Sequence, residues 1–91
     1  SITLFAQGLL ANCGQVARSV YNASGKSPGE VSKYEDLWRF TLANYHVGPG
    51  CTSYALYTTW QSREPLDWEH VSTHFTEYCQ SAVPYVREVT E

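Results

Sequence analysis

The stretch WRFTLANYHVGPG, residues 38–50, decides the fold, because it reads as a helix that is brought to a sharp stop. Apolar and aromatic side chains surround most of its circumference, which indicates a central, buried helix. The spacing predicts that this helix runs over about residues 34–47. Gly48, Pro49 and Gly50 end it, because a glycine beyond the last turn can adopt a left-handed conformation and a proline cannot continue the hydrogen-bond ladder.

The segments on either side of this stretch also have helical spacing. Before it, one helix is predicted over about residues 2–20, and residues 21–33 have the composition of a loop. The apolar face of that first helix is formed by Phe5, Leu9, Cys13, Val16 and Val20. After it, a helix is predicted over about residues 51–61. No stretch alternates between apolar and polar residues as a strand would, so no significant sheet is expected.

Two further helices are predicted toward the C-terminus. Asp67 is expected to cap a helix over about residues 68–75, and Ser81 to cap the last helix. In that last helix Tyr85, Val86 and Val89 are expected to pack inward. The predicted fold class is therefore all-α, with about five helices in a single domain over residues 1–91.

Length, composition and charge exclude several classes of protein. The chain has 91 residues, a net charge of −3 and only six Lys and Arg residues, which are scattered, so nucleic acid is not an expected partner. No apolar run reaches the ~20 residues that a membrane span needs. Residues 1–20 also lack the basic start and long apolar centre of a signal peptide. The chain has seven Tyr and three Trp residues, which are residue types common on solvated, concave surfaces as well as in cores.

Residues 38–50 resemble the signature of the soluble lytic transglycosylases, a helix reading roughly A-x-Y-N-A-G-P-G that ends in the same Gly-Pro-Gly turn. Later pieces follow in the family's order, namely Leu66-Asp67-Trp68 and Tyr85-Val86 with Val89 three residues on. The resemblance covers about residues 38–89. It implies a lysozyme-like helical domain, of which this chain is the C-terminal part, and an enzyme that cleaves the β-1,4 link of peptidoglycan.

That reaction needs a glutamic acid whose pKa is raised by an apolar pocket. The family's glutamate lies well upstream of the tyrosine, and residues 1–29 contain no acidic residue. Glu30 reads as a loop charge, while Glu35 and Asp36 read as exposed charges in the first turn of a helix. No catalytic residue is therefore identified, the domain is interpreted as lacking the segment that carries the glutamate, and its status as an enzyme stays open.

Four residues are predicted to contact substrate. The resemblance maps the family's sugar-contacting tyrosine directly onto Tyr45, for which packing within the central helix is the alternative. His46 stands where asparagine is usual, and it only partly reproduces the donor and acceptor of an amide. Tyr54 and Trp60 are expected to line the same glycan groove.

The lysozyme-like resemblance also implies that Cys51 and Cys79 approach each other and form a disulfide. Such a bridge is typical of an oxidising, extracytoplasmic compartment, whether secreted, periplasmic or at the cell surface. Cys13 is then the unpaired cysteine, expected to be buried or bonded elsewhere. His70 and His74 are four residues apart and could meet one metal, but no third ligand is suitably spaced, so neither a metal nor a cofactor is predicted.

Three hypotheses follow. The first is a peptidoglycan-directed lytic transglycosylase-like domain that cleaves or binds the glycan strand. The second is a non-catalytic structural or assembly subunit at the cell surface, whose partners would be proteins of an extracellular assembly. The third is a small secreted helical domain in which the Gly-Pro-Gly turn matches by chance.

Overall fold

The computed structural model describes residues 2–91, and within that range it contains α-helices and short 3₁₀ turns but no strand. The α-helices are α1 (Ile2–Ser24), α2 (Pro28–Val31), α3 (Tyr34–Val47), α4 (Pro49–Gln61), α5 (Trp68–Val71) and α6 (Ala82–Thr90). The two 3₁₀ turns are Ser72–His74 and Glu77–Cys79. The all-α prediction is confirmed, and the one helix beyond the predicted five is α2.

The N-terminal region is more helical than its composition suggested. Helix α1 continues through Tyr21 to Ser24 and stops at Gly25, whose φ of 73° lies in the left-handed region. The predicted loop over residues 21–33 is therefore wrong in part, because it also contains α2. Glu30 reaches back to accept a hydrogen bond from the backbone N–H of Ser27 at 3.1 Å, which starts this short helix.

The Gly-Pro-Gly turn joins the two central helices. Helix α3 has the predicted bounds, and Gly48 follows it with φ 95° and ψ 165°, a conformation that only glycine adopts without strain. Its N–H donates to the carbonyl of Asn44 at 2.8 Å. Pro49 then occupies the first position of α4, where its missing N–H costs nothing, so α4 begins two residues earlier than predicted.

The C-terminal segment departs from the prediction in two places. The Asp67 cap is confirmed, because its carboxylate accepts from the N–H of His70 at 2.8 Å, but the α-helix that it starts ends at Val71. The Ser81 cap was wrong. Ser81 has helical dihedral angles (φ −61°, ψ −18°) and makes no side-chain cap bond, because the preceding 3₁₀ turn already leads into α6. Val89 is 51% exposed instead of packing inward.

The core lies where α3 and α4 pack against the C-terminal half of α1 and against α6. Its buried apolar members are Val16, Val20, Phe40, Leu42, Ala43, Ala55, Leu56, Leu66, Val71, Phe75, Cys79, Ala82 and Val86. The predicted disulfide is confirmed: Cys51 at the start of α4 is bonded to Cys79, with their Cα atoms 5.8 Å apart. Cys13 is free and exposed, so the first of its two expected states, burial, is wrong, while a bond to a cysteine upstream stays a prediction.

The N-terminal half of α1 packs against little of the rest of the protein and is largely exposed to solvent. Ile2, Leu4, Phe5 and Leu10 are 88%, 68%, 43% and 67% exposed. The apolar face predicted for this helix is therefore buried only in its C-terminal half, at Val16 and Val20. Between residues 2 and 91 there is no helix with the length and apolar character needed to cross a bilayer.

Candidate functional site

Tyr45 lies at the end of α3, one turn before the Gly48 turn, and is 42% exposed. Its ring meets that of Phe5 on α1 edge to face, with ring centroids 5.4 Å apart and an interplanar angle of 80°. A Cβ placed on Gly8 would lie only 3.3 Å from the Tyr45 ring, so the glycine makes room for this approach. The tyrosine is thus held from one side by α1 and open to solvent on another.

Beneath Tyr45, a polar cluster that the sequence reading missed joins α1 to α3. The side-chain amide of Asn44, which is 1% exposed, donates to Asn12 Oδ1 at 2.6 Å and to Gln15 Oε1 at 2.8 Å. Asn12 in turn donates to the carbonyl of Gly8 at 2.6 Å. Asn44 Oδ1 is buried with no hydrogen-bond partner among residues 2–91. This cluster fixes the two helices that hold the Tyr45 ring.

His46 is exposed and stacks on Tyr85 of α6, with ring centroids 4.2 Å apart and the planes within 7° of parallel. One face of the imidazole is therefore covered by the phenol ring, while the residue as a whole stays exposed. Tyr85 was expected only to pack inward. The signal that could have found it is its place in the Tyr-Val piece of the family pattern.

Tyr54 and Trp60 lie in two different grooves. Tyr54 lines a groove of about 420 Å³ between α1 and α4, together with Tyr57. Trp60 lines a groove of about 550 Å³ together with Gln61, Arg63, Glu64 and Pro65. Tyr54 and Trp60 are six positions apart on one helix, which turns their side chains about 120° apart. Neither groove is lined by Tyr45, so the structure does not gather the four predicted contact residues in one cavity.

The three upstream carboxylates are not directed at Tyr45. Glu30 completes the start of α2, and Glu35 is an exposed residue in the first turn of α3. Asp36 accepts from the backbone N–H of Trp68 at 3.1 Å and lies 3.8 Å from the guanidinium of Arg39. Its role is to tie α3 to α5, in contrast to the exposed charge expected from the sequence. Across residues 2–91, no acidic side chain is hydrogen-bonded to Tyr45.

The two histidines near α5 each pair with a different carboxylate. His70 Nδ1 lies 2.7 Å from Asp67 Oδ1, and His74 Nε2 lies 2.6 Å from Glu64 Oε1. The hydrogen bond to Asp67, helped by the charges of Asp67, Glu64 and Glu69, raises the pKa of His70 against an opposing effect of burial. For Asp67, burial acts to raise the pKa, but hydrogen bonds from the His70 backbone and ring and the charges of His70 and Lys33 outweigh it and lower the pKa. In the described part of the chain, no three His, Cys, Asp or Glu side chains are placed to hold a metal ion.

Comparisons with known proteins do not assign the chain to a family. No family model matches it, and no curated protein or solved structure is significantly similar to it. The functional interpretation therefore depends on the geometry around Tyr45 and on the resemblance of residues 38–50.

Proposed function

We propose that this chain is a peptidoglycan-directed domain of the lytic transglycosylase type that binds the glycan strand through Tyr45. The observation that carries the proposal is the presentation of this tyrosine. It stands three residues before a Gly48-Pro49 turn, as in the signature that residues 38–50 resemble, and 42% of it is open to solvent.

The contacts of Tyr45 suit a sugar ring. Phe5 and the space at Gly8 fix the phenol ring, so little side-chain entropy is lost when a ligand stacks on it. A tyrosine offers an apolar face for the C–H groups of a sugar and a hydroxyl for its polar substituents. The His46–Tyr85 stack adds a second rigid aromatic group with a hydrogen-bonding edge.

Binding is better supported than cleavage. Glu30 and Asp36 accept hydrogen bonds from backbone N–H groups, and Glu35 is exposed. None of the three therefore resembles a carboxylic acid held in an apolar pocket. The Cys51–Cys79 bridge favours an extracytoplasmic location, where peptidoglycan is found, because structural disulfides persist in oxidising compartments.

Sedimentation with purified peptidoglycan sacculi tests the proposal. The protein should pellet with sacculi, and Tyr45→Ala should weaken this binding by about fivefold to tenfold through loss of the ring contact. Tyr78→Ala is the matched control, because Tyr78 is 98% exposed on a 3₁₀ turn. If both variants pellet as well as the parent protein, or the parent does not pellet at all, the glycan-binding proposal fails.

A second candidate is the non-catalytic assembly subunit, and one observation favours it. The exposed side chains of Ile2, Leu4 and Leu10 lie on different sides of the N-terminal half of α1, and an apolar surface that surrounds a helix in this way is of the kind that protein partners cover. Leu4→Asp with Leu10→Asp should then abolish a complex seen by light scattering, while leaving sacculus binding unchanged. A protein that is monomeric at all concentrations and has no partner at this surface would contradict the subunit role.

A further inference from the structure

The groove between α1 and α4 has the properties of a binding site separate from Tyr45. Tyr54 and Tyr57 are one helical turn apart on α4 and are 52% and 54% exposed, so both rings face the same open space. The opposite wall comes from the C-terminal half of α1. The groove has a volume of about 420 Å³, within the range of small-molecule sites.

Two polar side chains in this groove have unused hydrogen-bonding groups. Ser19 is 9% exposed, and its hydroxyl makes no hydrogen bond to another group in residues 2–91. The side-chain amide of Asn22, on the rim, likewise has no partner within that range, and it offers both donors and an acceptor. Ser53, by contrast, donates to the carbonyl of Gly50 at 3.3 Å. The free groups lie beside two rings and among no charged side chains.

We propose that this groove binds a short neutral saccharide. The Tyr54 and Tyr57 rings would stack on the C–H faces of successive sugar rings, and Ser19 and Asn22 would bond to sugar hydroxyl or acetamido groups. The site is independent of the function proposed for Tyr45, and it would give one glycan strand a second point of attachment or hold a different saccharide.

The free polar groups favour a saccharide over the other ligand that paired tyrosines bind, a proline-rich peptide. Such a peptide offers carbonyl acceptors to Ser19 and to the Asn22 NH₂ group, but its prolines have no N–H donor, so it would leave the Asn22 side-chain oxygen without a partner. A saccharide carries several hydroxyls per ring and satisfies both. The absence of charged residues among Ser19, Asn22, Ala23, Ser53, Tyr54 and Tyr57 favours a neutral ligand.

The experiment is an NMR titration of the intact, disulfide-bonded protein with three probes: a β-1,4-linked N-acetylglucosamine tetramer, cellotetraose, and a decapeptide of proline. We expect one of the two saccharides to shift the Asn22 side-chain NH₂ signals and the Tyr54 and Tyr57 ring signals. Tyr57→Ala should weaken the affinity by about fivefold to tenfold, and Asn22→Leu, which keeps the side-chain volume, by about fivefold. Tyr21→Ala, exposed on α1 outside the groove, is the control.

The outcomes separate this proposal from the one for Tyr45. Shifts at Tyr45 and His46 alone would overturn the groove proposal and uphold the Tyr45 site. NMR signal changes at the groove residues that persist in the Tyr45→Ala variant would uphold the groove proposal, whether or not Tyr45 itself binds a saccharide. Groove shifts with polyproline and with neither saccharide would overturn it in favour of a peptide site, and no shift with any probe would overturn it outright.

Discussion

At the residue scale, Arg63 is held in a conformation that suits glycine. Its φ is 61°, and it stands just beyond the end of α4, where its N–H donates to the carbonyl of Trp60 at 3.0 Å. The N–H of Glu64 donates to the carbonyl of Thr59 at 3.2 Å. These two bonds form a Schellman motif, whose left-handed position is usually a glycine because a Cβ there is strained.

Relief of the strained Cβ in Arg63→Gly should therefore raise the free energy of unfolding by about 1 kcal/mol. The larger conformational entropy that glycine gives the unfolded chain offsets part of this gain. Arg63→Ala is the control, because it removes the same exposed side chain and keeps the strained Cβ, and it should stay within about 0.5 kcal/mol of the parent. Urea denaturation followed by circular dichroism measures both. Equal effects of the two substitutions would mean that the side chain, not the backbone, sets the energy at this position.

The Asp67–His70 pair makes the start of α5 sensitive to pH. The pKa of His70 is raised above its ordinary value of 6.5, so the pair stabilises the fold below that pH, and this stabilisation is lost as the pH rises through the raised pKa. The pKa of Asp67 is lowered from 3.8, so its contribution is present above that pH and is lost as the pH falls through the lowered pKa. The contribution of the pair should therefore be largest between about pH 4 and 6.5.

Asp67→Asn separates the charge from the cap, because asparagine still accepts from the N–H of His70. In this variant the pKa of His70 should return toward 6.5, as followed by NMR of the imidazole signals. Glu88→Gln, which removes an exposed charge on α6, serves as the control. A pKa of His70 that does not change in Asp67→Asn would show that the 2.7 Å contact does not form in solution.

At the element scale, the sequence predicted helices well where hydrophobic spacing and helix-ending residues agreed. Helix α3 was predicted to the residue, because its apolar pattern runs directly into the Gly48-Pro49 turn. Helix α2 was missed because four residues are too few to show a period. Its signals were the Ser27–Glu30 spacing and Pro28 at the first helical position. Ser81 was mistaken for a cap because serine is a common N-cap residue. Its side chain makes no cap hydrogen bond, because the preceding turn gives its backbone helical dihedral angles.

The candidate site could be predicted only in part. Tyr45 was identified from its motif, but its contact with Phe5 joins residues forty positions apart, and no local pattern encodes this distance. The same holds for the Asn44–Asn12 bond, since an asparagine on an apolar face does not show which helix it will meet. Tyr54 and Trp60 were grouped because both are aromatic, whereas the helical phase directs them to different grooves.

The disulfide is the strongest single connection between elements, since it ties the first turn of α4 to the 3₁₀ turn before α6. Its cysteines are 28 residues apart, and closing a loop of this size should stabilise a domain by about 3–4 kcal/mol in the chain-entropy model. Replacing Cys51 and Cys79 together by alanine should therefore lower the free energy of unfolding by this amount in urea titrations. Cys13→Ser is the control, since its thiol is free and exposed, and it should change the stability by less than about 0.5 kcal/mol.

At the scale of the whole molecule, α1 connects a packed part and an exposed part. The molecule measures 39 × 26 × 23 Å, and α1 alone, with 23 residues, is about 35 Å long. Its C-terminal half carries Val16 and Val20 into the core. Its first half touches the rest of the protein through Phe5, Gly8 and the half-buried Leu9, and Asn12 accepts a hydrogen bond from Asn44. The surface proposed to bind glycan therefore rests on the less supported half of the longest helix.

This arrangement predicts a gradient of hydrogen exchange along α1. Amides over residues 16–23 should exchange slowly, because opening them exposes buried core side chains, whereas residues 3–11 should exchange faster by about tenfold or more. Hydrogen–deuterium exchange with mass spectrometry measures this difference, and Asn44→Ala should widen it by removing the bonds to Asn12 and Gln15 that hold α1 on α3.

Ligand binding at Tyr45 should slow exchange over residues 3–11 through the Phe5 contact, whereas ligand in the Tyr54–Tyr57 groove should slow exchange over residues 19–23. Uniform protection along the whole of α1 in the free protein would contradict this account, because it would mean that the exposed half is as firmly held as the core.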